Sequence, residues 1–232
     1  MSSRANAMIR SLTATLGCTA LALTSIVLAG PAEKDLVSQA QATVPDVQHG
    51  MILYLQHCAA CHGRRAWGDG PREIPVLAGQ RESYLLQELV RFANNGRQGS
   101  DMHGPIMHEI LQPPDVDRSQ AFRDLAAHLG QASHNPQPVH GDGQALALGE
   151  RDYNRGCTGC HGRDGEGSER GAIPAIGGQG YSYLLTQLRS FASGRLTHPA
   201  VADSPVALSA EEQPAVADYV SRLDYLSSAS AR

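Results

Sequence analysis

Aromatic and charged residues are both scarce in this chain of 232 residues. Aromatic side chains make up 5% of it, with one Trp and three Phe, and charged residues make up 18%. The low charged fraction, together with 41% hydrophobic residues, excludes a disordered chain and fits one large globular domain or two small ones. Because few large rings are available to fill the interior, a cofactor is a candidate for part of the apolar core.

Long apolar stretches are absent after Gly30, so the rest of the sequence offers no membrane-spanning segment. Before Gly30, Arg4 and Arg10 precede an uncharged run of small and apolar residues that ends near Ala29. This order is typical of a signal peptide, and we predict that residues 1–29 direct export to the periplasm. The competing interpretation is an uncleaved N-terminal membrane anchor.

Positive charge is also limited, since Lys34 is the only lysine. The formal net charge is −4, and it becomes −6 without residues 1–29, which contain two arginines and no acidic residue. An acidic chain of this kind does not bind nucleic acid through a basic surface. A protein that docks with it by electrostatic attraction should present a basic surface.

Four of the five cysteines occur in two identical patterns, "CAACH" at 58–62 and "CTGCH" at 157–161. Cys-x-x-Cys-His is the attachment signature of c-type haem, because two thiols on one helical turn can bond the haem vinyl groups beside a histidine that ligates the iron. A zinc site, a redox dithiol and a disulfide are the alternatives, but a zinc site needs both ligand pairs in one small fold. We predict two covalently bound haem c groups, with attachment at Cys58, Cys61, Cys157 and Cys160 and iron ligation by His62 and His161.

The chain contains an internal duplication. From Gly50 to Ala93, 19 of 44 residues are identical to the residue 99 positions further on. The segment "IPVLAGQRESYLLQELVRFA" from Ile74, for example, is echoed by "IPAIGGQGYSYLLTQLRSFA" from Ile173. We predict a first domain at residues 44–130, a linker rich in Pro, Gly and polar residues at 131–144, and a second domain at 145–228.

Each repeat predicts three helices. The first helix leads into the Cys-x-x-Cys-His turn, and the second carries apolar residues at helical spacing, such as Leu85, Leu86 and Leu89. The third helix is "RSQAFRDLAAHLG" in the first repeat and "SAEEQPAVADYVSRL" in the second. Ser209 and Glu212 form a capping box at the start of the latter. The predicted fold class is therefore all-α.

These motifs resemble a diheme cytochrome c of the cytochrome c4 type, in which two class I cytochrome c domains stand in tandem. The resemblance rests on the paired motifs, the "IPxLAGQ" and "YLLxxL" segments and the terminal helices, and it extends from about Val44 to Tyr225. It implies a few helices wrapped around each covalently attached haem, with the two haem edges facing each other. It also implies that the backbone carbonyls of Pro75 and Pro174 orient His62 and His161.

In the cytochrome c4 type, a methionine between the second and third helices is the sixth iron ligand. The first repeat offers Met102 and Met107 there, and we predict Met102 because its position relative to the following residues fits the pattern better. A methionine ligand raises the reduction potential of the iron. His103 and His108 are more consistent with loop surface positions, although either could compete for the iron.

The second repeat departs from this pattern, because no methionine follows position 107. Three possibilities exist for its sixth ligand. His198 could bind the iron, or the position could hold water or stay open. Alternatively, Met107 or another residue of the first repeat, or a tyrosine, could reach the iron.

Two functions follow from these possibilities. We predict that the chain is a non-enzymatic periplasmic electron carrier in a respiratory or dehydrogenase-linked chain. Its expected partners are a donor dehydrogenase or quinol-oxidising complex and an acceptor oxidase. The alternative is a haem protein whose second iron is open and binds or reduces a small ligand. Membrane contact is expected only through an N-terminal anchor or a membrane complex.

Overall fold

The computed structural model describes residues 31–97, 103–112, 117–198 and 208–224. Within these ranges the regular structure is helical, apart from two isolated antiparallel bridges, Asp69 with Ile74 and Ser168 with Ile173. The predicted all-α fold class is therefore confirmed. The helices are α1 Pro31–Ala42, α2 Val47–His57, α3 Ala59–His62, α4 Glu82–Ala93, α5 Gly104–Ile110, α6 Arg118–Gln131, α7 Leu146–Gly156, α8 Thr158–His161, α9 Tyr181–Ala192 and α10 Glu212–Ser221. None of them is both long and apolar enough to span a bilayer.

In each repeat, the first long helix crosses the last one at a glycine. Gly50 brings α2 against α6, and Gly149 brings α7 against α10. A Cβ atom at either glycine would collide with a backbone carbonyl, that of Asp124 in the first domain and that of Ala215 in the second. The two pairs of helices form equivalent frames, and α4 and α9 complete them by packing against α6 and α10.

A buried tyrosine connects each of these frames to its haem motif. Tyr54 on α2 donates a hydrogen bond to the carbonyl of Gly63 at 2.5 Å, and Tyr153 on α7 donates one to Gly162 at 2.6 Å. Gly63 and Gly162 end the short helices α3 and α8 with positive φ angles, 76° and 81°, which glycine adopts without strain. These bonds fix the Cys-x-x-Cys-His turn relative to the helical frame.

The two domains contact each other through a reciprocal pair of glutamines. Gln80 of the first domain accepts from the backbone N–H of Ala175 at 2.7 Å and donates to its carbonyl at 2.9 Å. Gln179 of the second domain makes the same two bonds with Val76, at 2.8 and 3.0 Å. Each glutamine is therefore inserted into the other domain, and the two domains are related by an approximate twofold axis.

The twofold relation is broken at the helix starts. Glu169 of the second domain accepts from the backbone N–H groups of Glu82 and Ser83, at 3.0 and 2.9 Å, and so caps α4 of the first domain. At the equivalent start of α9, the N–H of Tyr181 donates instead to the carbonyl of Val139 in the linker, at 2.9 Å. The start of α9 is therefore bonded to the linker, whereas the start of α4 is bonded to a glutamate of the second domain.

Two helices were not predicted from the sequence. Helix α1 precedes the predicted first domain and packs against α4 and α6. Helix α5 lies within the loop that follows α4, with Pro105 in its first turn. The predicted capping box at the start of α10 is confirmed, because the N–H of Ser209 donates to the Glu212 carboxylate at 2.7 Å and the N–H of Glu212 donates to the Ser209 hydroxyl at 3.2 Å.

Candidate haem sites

A cavity of about 900 Å³ extends across the contact between the two domains. Both Cys-x-x-Cys-His motifs line it, and most of its other lining is apolar, with Leu85, Leu89 and Phe92 from α4 and their counterparts from α9. The structure therefore brings all six of the predicted attachment and ligand residues of the two motifs to one cavity, namely Cys58, Cys61, His62, Cys157, Cys160 and His161.

The histidines of the two motifs are buried and are oriented by backbone carbonyls. Nδ1 of His62 donates to the carbonyl of Pro75 at 3.2 Å, and Nδ1 of His161 donates to that of Pro174 at 3.1 Å. This pairing agrees with the implication of the resemblance. It leaves Nε2 of each ring as the nitrogen available to an iron atom.

The pKa values of both histidines are held below the ordinary value. Burial is the main cause, and the charge of a second histidine adds to it, His103 in the case of His62 and His198 in the case of His161. The hydrogen bonds to the proline carbonyls act in the opposite direction. The net result favours neutral imidazole, which is the form that ligates metal ions.

None of the four motif cysteines takes part in a disulfide. Burial raises the pKa of Cys58 to about 11, with a further contribution from Cys61, and burial likewise raises the pKa of Cys157 to about 11. Among the described residues, no group of three or more His, Cys, Asp or Glu side chains forms a metal site of the kind considered for zinc. The position of both thiol pairs at an apolar cavity fits haem attachment.

The polar groups of the cavity also fit a haem, whose propionates are anionic. Gln187 on α9 is buried, and its Nε2 has no hydrogen-bond partner among the described residues, so the cavity offers an unused donor. At the equivalent place on α4, Glu88 forms ion pairs of 2.9 Å with Arg91 and with the buried Arg97. A large apolar cavity with a buried donor and a buried arginine suits a flat apolar ring that carries carboxylates.

The distal side of the first site is only partly described. Met102, the predicted sixth ligand, lies outside the described residues. Its neighbour His103 lines the cavity, as does Met107 on α5, which also packs against the core of the first domain. His108 is held away from the cavity lining by a 3.0 Å bond between its Nδ1 and the carbonyl of Phe92. Ligation by Met102 stays a prediction.

At the second site, His198 lies near the motif histidine His161. The centroids of the His198 and His161 rings are 6.0 Å apart, and His198 also makes an edge contact with Phe191 at 5.2 Å. Partial burial lowers the pKa of His198. Both histidines line the cavity.

Sequence reasoning did not single out the polar residues between the two sites. Gln80 and Gln179 join the domains, while Tyr84 and Tyr183 line the cavity at the contact. Burial raises the pKa of Tyr84, and the charges of Glu88 and Tyr183 add to this effect. The glutamine and the tyrosine are each identical in the two repeats, and each interrupts an apolar segment. This repetition of polar residues was the available signal in the sequence for a role at the two sites.

Comparison with known proteins agrees with the two sites. The family model for cytochrome c matches residues 47–133 and 146–224. Cytochrome c4 of Azotobacter vinelandii is 33% identical over 150 residues, which cover 61% of this chain and 70% of that protein. The thiosulfate dehydrogenase electron acceptor of Thiomonas intermedia is 31% identical over 145 residues, 59% of this chain and 63% of that protein.

A solved structure is similar to most of this chain. Reduced recombinant cytochrome c4 from Pseudomonas stutzeri superposes with a TM-score of 0.62 and 26% sequence identity, covering 78% of this chain and all of that one. Two haem c groups are covalently bound, through Cys58 and Cys61 and through Cys157 and Cys160. The chain therefore belongs to the cytochrome c family, as a diheme, cytochrome c4-like electron-transfer protein.

Proposed function

We propose that this cytochrome is exported to the periplasm, where it carries single electrons from a dehydrogenase or a quinol-oxidising complex to a terminal oxidase. The observation that carries this proposal is the cavity that both haem motifs share across the glutamine-paired contact. Two redox centres side by side shorten the distance that an electron must cross. Haem iron supplies the one-electron chemistry, and the protein holds the two groups in place.

The residues of the contact have a clear role in this proposal. Gln80 and Gln179 fix the separation of the domains, while the apolar residues around the motifs exclude water from the haem faces. Exclusion of water reduces the reorganisation of solvent that accompanies each change of iron charge. Non-enzymatic transport of electrons needs no acid or base catalyst.

The choice of partners is supported by charge and by similarity. The relative from Thiomonas intermedia is an electron acceptor of thiosulfate dehydrogenase, which supports a dehydrogenase as the class of donor. The chain itself carries a net charge of −4, or −6 without residues 1–29. A basic docking surface on the partner would speed association at low ionic strength.

Export is tested by the N-terminus and the haem content of the purified protein. Residues 1–30 lie outside the described residues, so the signal is a proposal from the sequence. We expect the full-length gene, expressed in a Gram-negative host with the c-type maturation system, to yield periplasmic protein that begins near residue 30 and carries two haems. A gene that lacks the codons for residues 2–29 should yield cytoplasmic protein without covalent haem. A membrane-bound product that retains its N-terminus would contradict the signal peptide and would show that residues 1–29 are a membrane anchor.

Electron transport is tested by add-back to the source cells. After deletion of the gene, donor-driven oxygen uptake by spheroplasts should fall, and purified diheme protein should restore it. Rising salt concentration should weaken the restoration, because screening reduces the attraction between an acidic carrier and a basic partner. Unchanged oxygen uptake in the deletion strain, with every candidate donor, would contradict the proposal.

A further inference from the structure

The second domain must complete its iron coordination without a methionine of its own. All five methionines of the chain lie at or before position 107. In the second domain, the chain that leaves α9 instead brings His198 to the lining of the haem cavity. The question is whether His198 lies there as a surface residue or as a ligand.

The separation of His198 from His161 has the value expected of two ligands on one iron. Histidine nitrogens bind first-row metal ions at about 2.0 Å, so two imidazoles on opposite sides of one ion have ring centroids about 6 Å apart. The observed centroid distance is 6.0 Å, with the ring planes at 63° to each other. Nδ1 of His161 is already bonded to Pro174, which leaves its Nε2 for the iron.

The segment that carries His198 is anchored to α9. The N–H of Leu196 donates to the carbonyl of the fully buried Ser190 at 3.0 Å, and Gly194, with a φ of 72°, turns the chain back. The ring of His198 then packs edge-on against Phe191, at 5.2 Å and 79°. These contacts place the imidazole at the cavity before any bond to iron forms, so ligation requires little further ordering of the chain.

Four other side chains that could ligate iron make contacts of their own. Met107 packs against the core of the first domain. The hydroxyl of Tyr153 donates to Gly162, and the ring of Tyr219 packs against Tyr153 at 5.7 Å. Lys34, the only lysine, lies on α1, which packs against the first domain. The contacts therefore favour His198 as the ligand over Met107, Tyr153, Tyr219 and Lys34.

We propose that His198 is the sixth ligand of the second haem iron, which makes that centre a bis-histidine site. A methionine ligand raises the reduction potential of haem iron. With methionine on the first iron and histidine on the second, the second iron therefore has the lower reduction potential. Electrons then pass more favourably from the second domain to the first. This proposal rests on haem attachment and is independent of the proposed location and partners.

The test compares His198→Ala, His198→Met and a matched control, Thr197→Ala, which changes the neighbouring residue of the same segment. Each protein is purified with both haems, and the measurements are the electron paramagnetic resonance spectrum of the oxidised form and carbon monoxide uptake by the reduced form. Wild type and Thr197→Ala should contain only low-spin haem and take up no stoichiometric carbon monoxide. His198→Ala should convert about half of the haem to the high-spin state and bind one carbon monoxide per chain.

The methionine variant separates ligation from folding. His198→Met should keep the second haem low-spin, while a redox titration shows its potential raised towards that of the first haem. Uptake of carbon monoxide by half of the haem in the wild type would overturn the proposal and favour an open second iron. Unchanged spectra and potentials in both His198 variants would also overturn it. None of these outcomes depends on the add-back of the protein to cells, so failure here is distinct from failure of the proposed function.

Discussion

Gly149 lies where α7 crosses α10 and has no room for a side chain. A Cβ atom there would meet the carbonyl of Ala215 and the Cβ of Tyr219. Backbone atoms of a packed helix cannot move aside as the end of a flexible side chain can. The distance between the two helices is therefore set by this one residue, and the same holds for Gly50 in the first domain.

The expected effect of Gly149→Ala is a loss of stability, although alanine is the better helix former. Helix propensity alone would favour alanine by about 1 kcal/mol, but forced separation of two packed helices costs about 1–3 kcal/mol or more. We expect the midpoint of guanidinium unfolding, followed by circular dichroism of the holoprotein, to fall.

Gly159→Ala is the matched control, because a Cβ atom at Gly159 meets no other atom within 4 Å and Ala60 stands at the equivalent place in the first repeat. A midpoint for Gly149→Ala equal to that of the control would show that the crossing tolerates a side chain.

At the scale of elements, a carboxylate of α10 bonds to the backbone of the linker. Asp218 is buried, and it accepts from the N–H groups of Gly141 and Gly143 at 2.9 and 2.7 Å and from Nε of Arg222 at 2.8 Å. Burial alone would raise the pKa of Asp218, but these donors outweigh it and hold the pKa below the ordinary value. The charged carboxylate thus joins a helix end to the segment between the domains.

The lowered pKa makes this attachment sensitive to acid. A carboxylate whose pKa is lower in the folded state stabilises the fold above its unfolded pKa of about 4, and the stabilisation is lost as the pH falls through the folded value. At neutral pH, Asp218→Asn should lower the free energy of unfolding by about 1.5–3 kcal/mol. The difference from wild type should shrink in unfolding measurements below about pH 4.

Asp142→Asn serves as the control for this change, because Asp142 is an exposed carboxylate in the same linker. A stability difference between wild type and Asp218→Asn that stays constant down to low pH would contradict the argument.

The local features of this fold could be predicted from the sequence because short motifs determine them. The haem turns and the three main helices of each repeat depend on residues close to one another in the chain, whereas the bonds of His62 and His161 to prolines were implied by the resemblance to cytochrome c4. The resemblance implied that the haem edges face each other, but the residues of the contact between the domains could not be predicted, because they depend on which surfaces of two similar domains meet. The cap that Glu169 provides for α4 joins residues 86 and 87 positions apart, and no short pattern marks it.

At the scale of the whole molecule, two glutamines satisfy backbone groups across the contact between the domains. Gln80 and Gln179 each bond both the N–H and the carbonyl of one residue in the opposite domain. Leucine at either position would leave those groups buried without partners, at a cost of about 1–3 kcal/mol for each group. Replacement of both glutamines by leucine, a side chain of similar size, should therefore weaken the contact between the domains.

We expect the double variant Gln80→Leu with Gln179→Leu to loosen the arrangement of the domains while each domain keeps its haem. Small-angle X-ray scattering should show a larger radius of gyration, and guanidinium unfolding should separate into two transitions. Gln137→Leu, in an exposed part of the linker, should leave both measurements unchanged. An unaltered radius in the double variant would mean that the other contacts between the domains, including the bonds of Glu169 to α4, are enough to hold them.

The reciprocal glutamine pair is the geometry of a homodimer, since in a twofold dimer each subunit offers the other the same residue. In this chain, residues 131–144 turn such an association into an intramolecular one. A short tether keeps its two ends at an effective concentration in the millimolar range. The pairing of the haems is therefore unaffected by dilution. The two haems stay side by side even when a cell contains few copies of the protein.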